Sequence, residues 1–237
     1  MFNFSYTRLT SVVAWILLII FSSTITACSH KKKKINFYPS EYRFPDSNIG
    51  NGKIFIYRNV KDTNELQFQD CKIITEGERD YLLAKQYNRE STIDSAKYAI
   101  DGQLIESYIF MPDTPVYKLK GVIVKNEIID DRSRLGKGIS IIEYKAYGNI
   151  ITIRGEEYFL KDTVINWKGH ILDCIKTRQT IWMKLENNRD PSTTENTEKV
   201  SEGYFAKGIG LIRYSGSSQG RSATMELIEI RDMSTAK

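Results

Sequence analysis

The side chains able to do chemistry in this chain are few. Three cysteines, Cys28, Cys71 and Cys174, and two histidines, His30 and His170, stand among 237 residues. A thiol attacks only as its thiolate, which a cationic neighbour must stabilise; Lys176 is the sequence neighbour of Cys174 that could do so. A zinc site or a hydrolase triad needs an imidazole with convergent partners. His30 lies in a polar stretch just after Cys28, and His170 follows the turn residues Lys168-Gly169. The carboxylate pairs Asp130-Asp131 and Glu156-Glu157 fall in expected turns, and Gly208 and Gly210 lack the spacing and following helix of a phosphate loop. The sequence thus assigns no catalytic residue, metal ligand or cofactor, and the expectation is a protein that is not an enzyme.

Cys28 offers a different chemistry. Before it come Arg8, the apolar run Val12 to Phe21, and small or hydroxylated residues. That order is a secretion signal; a spanning helix needs about 20 predominantly apolar residues, and this run ends too soon. Ile25-Thr26-Ala27-Cys28 resembles the bacterial lipobox. By that resemblance Cys28 carries diacylglycerol, the chain is cut before it, and the new amino terminus is acylated. Two or more acyl chains hold a protein stably on a membrane, at about 0.8 kcal/mol per buried methylene. Ser29 is not the Asp that retains Gram-negative lipoproteins in the inner membrane, so the resemblance implies the outer membrane, facing the periplasm. Lys31, Lys32, Lys33 and Lys34 follow, either drawn to anionic headgroups at about 1 kcal/mol each or forming a solvated tether. That compartment excludes nucleic acid as a partner.

Cleavage removes Arg8 alone among charged residues, so the net charge falls by one from +5 to +4. The remainder is close to balanced and implies no polyanionic partner. With 14 Tyr and 10 Phe, β structure is favoured. The expected organisation is a signal peptide over 1–27, a lipidated lysine-rich tether over 28–52 and one antiparallel β domain over 53–237. Cys71 and Cys174, each within an expected strand, could form a disulfide in an oxidising periplasm or lie apart as small buried hydrophobes.

About ten strands are expected. Lys53 to Asn59 is the first and Leu66 to Thr75 the second; Tyr81 to Asn88 fits strand or helix. Asp101-Gly102 between apolar arms marks a hairpin, as do Tyr147-Gly148 and Lys168-Gly169. Val116 to Ile129 reads as one long strand. Asn187 to Glu202, nearly devoid of hydrophobes, reads as a surface loop open to cleavage. Gly203 to Tyr214 reads as one strand with glycines on one face, and Met225 to Ile230 as the last. Short turns joining many strands give an all-β fold: a curved antiparallel sheet, an open half-barrel or sandwich-like.

Lys168-Gly169-His170-Ile171-Leu172-Asp173-Cys174-Ile175-Lys176, then Tyr204-Phe205-Ala206-Lys207-Gly208-Ile209-Gly210-Leu211-Ile212 and Met225-Glu226-Leu227-Ile228, resemble the C-terminal half of the TapB-like families of unknown function. The resemblance covers about the last 70 residues and implies an open half-barrel related in style to outer-membrane lipoprotein carriers, with no catalytic residues. His170 and the long polar stretch before Glu202 depart from the pattern. The function expected is binding of a hydrophobic envelope ligand, or else scaffolding of another envelope protein. A Cys28→Ala chain is expected to lose its acyl mass by intact mass spectrometry and to leave the membrane fraction; a variant that keeps acyl groups would remove the lipobox reading.

Overall fold

The computed structural model describes residues 49, 51–99, 103–111, 117–129, 137–187, 190–218 and 221–233. The expected signal segment, Cys28, Lys31 to Lys34, nearly all of the tether, the Asp101-Gly102 turn and Asp130-Asp131 lie outside them. Thirteen strands follow in order: β1 Lys53–Asn59, β2 Leu66–Glu76, β3 Arg79–Asn88, β4 Thr92–Ala99, β5 Leu104–Met111, β6 Tyr117–Lys120, β7 Val122–Ile129, β8 Lys137–Ala146, β9 Asn149–Trp167, β10 His170–Asn187, β11 Glu195–Ala206, β12 Gly210–Ser218 and β13 Arg221–Asp232.

All thirteen form one antiparallel sheet in the order β6-β5-β4-β3-β2-β1-β13-β12-β11-β10-β9-β8-β7. Every ladder joins strands adjacent in sequence except that between β1 and β13, where Lys53 faces Asp232. The sheet is all-β, as expected, and curls past a half-barrel until it is nearly closed. Its two terminal strands, β6 and β7, are consecutive in the chain with Gly121 between them. The stretch expected as one strand is therefore divided: its first part pairs with β5 (Tyr108 with Lys120) and its second with β8 (Val122 with Glu143).

Gly121 is where the seam draws together. Its N–H donates to the Ser107 carbonyl at 2.8 Å, and the Ser107 hydroxyl meets the Tyr144 hydroxyl from β8 at 2.7 Å. A Cβ at Gly121 would lie 2.5 Å from Ile142 Cγ2 and 2.8 Å from Tyr144 Cε1. Only a residue without a side chain lets the strand pass this close to the β8 wall.

Two expected hairpins are present. Tyr147 and Gly148 have φ of 50° and 81°, Lys168 and Gly169 of 52° and 83°, the positive values the tight turn demands. The ambiguous Tyr81 to Asn88 is strand. Two readings need correction. Gly203 to Tyr214 is two strands, because Lys207 to Ile209 turn and Gly208 takes φ 74°. Asn187 to Glu202 is largely strand: β11 begins at Glu195 and pairs along β10, Leu185 with Glu195 through Cys174 with Ala206. It lacks an apolar stripe because the wall it builds faces a polar interior.

The end at which the chain enters β1 also carries the tip of the β9–β10 hairpin. β9 continues past Tyr158, its last partner to β8, and β10 starts before Cys174, its first partner to β11. The projecting tip bends across this end. Ile165, Trp167 and Leu172 pack against the core, Trp167 Nε1 donates to the Leu227 carbonyl at 2.7 Å, and Lys168 Nζ to the Ile228 carbonyl at 2.5 Å. Those carbonyls are open because the β12–β13 ladder ends at Arg213 with Glu226. The same end receives Ile49, 1% exposed in the core. Overpacking a filled core destabilises by about 1–3 kcal/mol; Gly121→Val is expected to lose at least that much in urea denaturation, and an unchanged midpoint would show that the seam does not depend on the missing side chain.

Candidate functional site

Inward positions on the strands make a lumen of two characters. Phe55, Cys71, Leu82, Ala96, Tyr98, Ile142, Ile153 and Met225 contribute apolar packing. Interleaved with them runs a belt of buried polar groups: Gln67 and Gln69 on β2, Gln86 on β3, Asp94 on β4, Ser107 on β5, Ser140 on β8, Glu157 on β9, Thr177 and Gln179 on β10, and Ser201 on β11. Tyrosine hydroxyls tie parts of the belt across the lumen. Tyr57 donates to the Leu211 carbonyl at 3.0 Å and to Gln69 Oε1 at 3.4 Å, and Tyr214 donates to Gln67 Oε1. Ser201 reaches Gln179 Oε1 at 3.4 Å.

One part of the belt is not satisfied by protein groups. Gln86 and Asp94 are register partners on adjacent strands, 1% and 3% exposed. Among the described residues, neither amide atom of Gln86 nor either carboxylate oxygen of Asp94 has a hydrogen-bond partner. Burial alone pushes the Asp94 carboxyl well above its ordinary value, because removal from water penalises the charged form. Across the lumen, Lys199 lies between Ile181 of β10 and the bare backbone of Gly216; burial brings its ammonium down to about 8.

Between β9, β10, β11 and β12 the belt encloses a cavity of about 30 Å³, lined among others by Glu157, Thr177, Gln179, Ser201 and Tyr214. That is room for about two waters, far below the roughly 300–1,000 Å³ of a small-molecule pocket. Gly203 belongs to its wall, where a Cβ would come within 3.0 Å of Phe205.

The residues singled out from sequence are dispersed. Cys71 and Cys174 are both free and buried, so the disulfide weighed from sequence is not formed; β1, β13, β12 and β11 stand between their strands. Each is a small hydrophobe in the core. Burial pushes the Cys174 thiol up to about 11 and raises Cys71 further still. Lys176 is no partner for Cys174: it pairs with Glu202 at 2.6 Å, and that bond, with Arg178 beside it, lowers the Glu202 carboxyl. His170 is exposed at the hairpin tip. Glu156 and Glu157 lie not in a turn but in the middle of β9, on opposite faces. Glu156 accepts from Arg154 and Tyr158 at 2.5 Å each, while Glu157 lines the cavity. Among the described residues no three His, Cys, Asp or Glu gather as a metal site. The polar belt escaped sequence reading because glutamine or serine at an inward position looks the same as one facing solvent.

The fold defines a nearly closed, up-and-down antiparallel β barrel with a partly polar interior. No family model matches the sequence, and no curated protein does; the resemblance of the last 70 residues to the TapB-like families has no family match behind it. Two solved structures are similar over 81% of the chain. One is a candidate lipoprotein from Parabacteroides distasonis, 14% identical and covered over 99% of its length, with a TM-score of 0.47. The other is a candidate exported protein with a YmcC-like fold from Bacteroides fragilis, 13% identical and covered over its full length, with a TM-score of 0.45. At this distance the likeness assigns neither activity nor site.

Since the unfolded chain releases the Asp94 proton above about pH 4 and the folded chain keeps it, stability falls as pH rises through the interval between the two values. Asp94→Asn removes that dependence. The variant is expected to gain on the parent by about 1.4 kcal/mol per pH unit in urea titrations from pH 4 upward; a parent that gains on the variant instead would mean an ionised, compensated carboxylate.

Proposed function

We propose that the chain is a lipid-anchored, non-enzymatic envelope protein that binds a partner protein along the seam of its barrel. The observation that carries this reading is the seam itself. Among the described residues, β7 has a ladder on its β8 side only, and beyond Gly121 it diverges from β5. Val122 and Val124 stand there 60% and 56% exposed, and at the far end Tyr117 meets Tyr147 edge to face at 5.1 Å, 42% and 58% exposed. An open strand edge beside apolar side chains is a template for an added strand.

The other version, a carrier of a hydrophobic ligand inside the barrel, has less support. Among its apolar side chains the lumen carries a belt of buried glutamine, serine and carboxyl groups, which an apolar ligand would leave without hydrogen-bond partners. The anchor reading rests on the lipobox at Cys28, and the outer-membrane placement on Ser29.

A photocrosslinking residue at Val122 in living cells is expected to give one discrete protein adduct, and Val124→Asp, which puts a charge on the apolar flank of the edge, to abolish it. No adduct at Val122, together with stoichiometric lipid released from the denatured protein beyond the acyl groups on Cys28, would replace the seam reading with the carrier.

A further inference from the structure

We propose that the tip of the β9–β10 hairpin seats on the lipid bilayer that holds the anchor; this rests on the lipidated reading of Cys28 and adds a second, non-covalent membrane contact. The chain reaches β1 at Lys53, 25 residues after Cys28. It enters at the end of the barrel over which the hairpin tip is bent. This end is therefore the one joined to the anchor segment by the shortest length of chain.

The tip has two faces. Its inner face, Ile165, Trp167 and Leu172, packs against the core, and Trp167 and Lys168 are bonded to β13 carbonyls. The outer face consequently points away from the barrel end. On it stand Val164, 62% exposed, and Ile171, 78% exposed. Val164 is paired with Asp173 and Ile171 with Asn166, which makes the two aliphatics diagonal neighbours whose side chains can touch. Isolated exposed aliphatics need no explanation. A fixed pair on a strapped hairpin, presented at the anchored end, is what interfacial contact requires.

The surrounding charge sets the kind of surface. Asp162 and Asp173 share the outer face, while Lys161, Lys168 and His170 flank them. These charges are balanced, so the contact is apolar and shallow, within the roughly 5–10 Å of the headgroup and acyl boundary, and does not select anionic lipid. Neutral vesicles are the appropriate probe, since they also leave Lys31 to Lys34 without an electrostatic attraction.

The test uses the processed full chain, its acylation verified by mass, in vesicles of phosphatidylcholine and phosphatidylethanolamine. An environment-sensitive fluorophore is placed through His170→Cys, or through Val60→Cys at the opposite end as control; the buried native thiols stay unlabelled. The expected result is a blue shift at position 170, quenched by lipids spin-labelled near the headgroup, and neither effect at position 60. Val164→Asp with Ile171→Asp is expected to abolish the shift with acylation, vesicle binding and thermal midpoint unchanged. An acylated, vesicle-bound protein with no shift at 170 would overturn the docking contact and leave the anchor standing. Absence of acyl mass would overturn both. A shift that follows protein density and not the lipid quencher would assign the face to a second copy and overturn the bilayer contact.

Discussion

The closure of the sheet at Gly121 is the constraint on which the remainder of the molecule depends. Thirteen strands cannot bury one face of a single sheet unless its ends come together. Here they do so where one stretch of chain changes partner, leaving β5 for β8 within a residue. The Gly121 N–H on Ser107, and the Ser107 hydroxyl on Tyr144, tie β5, the crossing strand and β8 at one point. A side chain at Gly121 would separate them. Closure there makes the lumen an interior, and divergence beyond it leaves β7 as an edge, so the packing that stabilises the barrel also creates its most distinctive surface.

An enclosed lumen with a polar belt is an unusual core. Buried donors and acceptors without partners are costly, about 1–3 kcal/mol each, and the barrel offsets much of this through the tyrosine bonds across the lumen. Among the described residues, Gln86, Asp94 and the Ser140 hydroxyl are left without a partner. Burial raises the Asp94 carboxyl well above its ordinary value, which couples this part of the interior to pH.

The hairpin tip resolves a different problem. Because β12 and β13 part at Arg213 and Glu226, the lower half of β13 keeps its ladder to β1 but has none on its β12 side. The β9–β10 strands run long enough to cross and supply Trp167 and Lys168 to the Leu227 and Ile228 carbonyls. This covers an edge that would otherwise be open and simultaneously fixes which hairpin face looks outward. Seam and strap thus divide the outer surface: one lies along the side of the barrel, the other across the end at which the chain enters β1.

The sequence by itself determined the all-β class and the positions of the Tyr147-Gly148 and Lys168-Gly169 turns. Turn residues with positive φ are local: the chemistry that makes them lies within a few residues. Only the tertiary structure decided that Val122 belongs to another wall than Lys120, that Glu195 to Ser201 is strand, and that Cys71 and Cys174 are separate. Periodicity detects a strand when one face is apolar and the other polar. Lys199, Ser201 and Glu157 face a polar lumen, so their strands alternate without contrast. Whether a glutamine or an acid looks inward is settled by the register of strands far apart in the chain, and no local pattern carries that information.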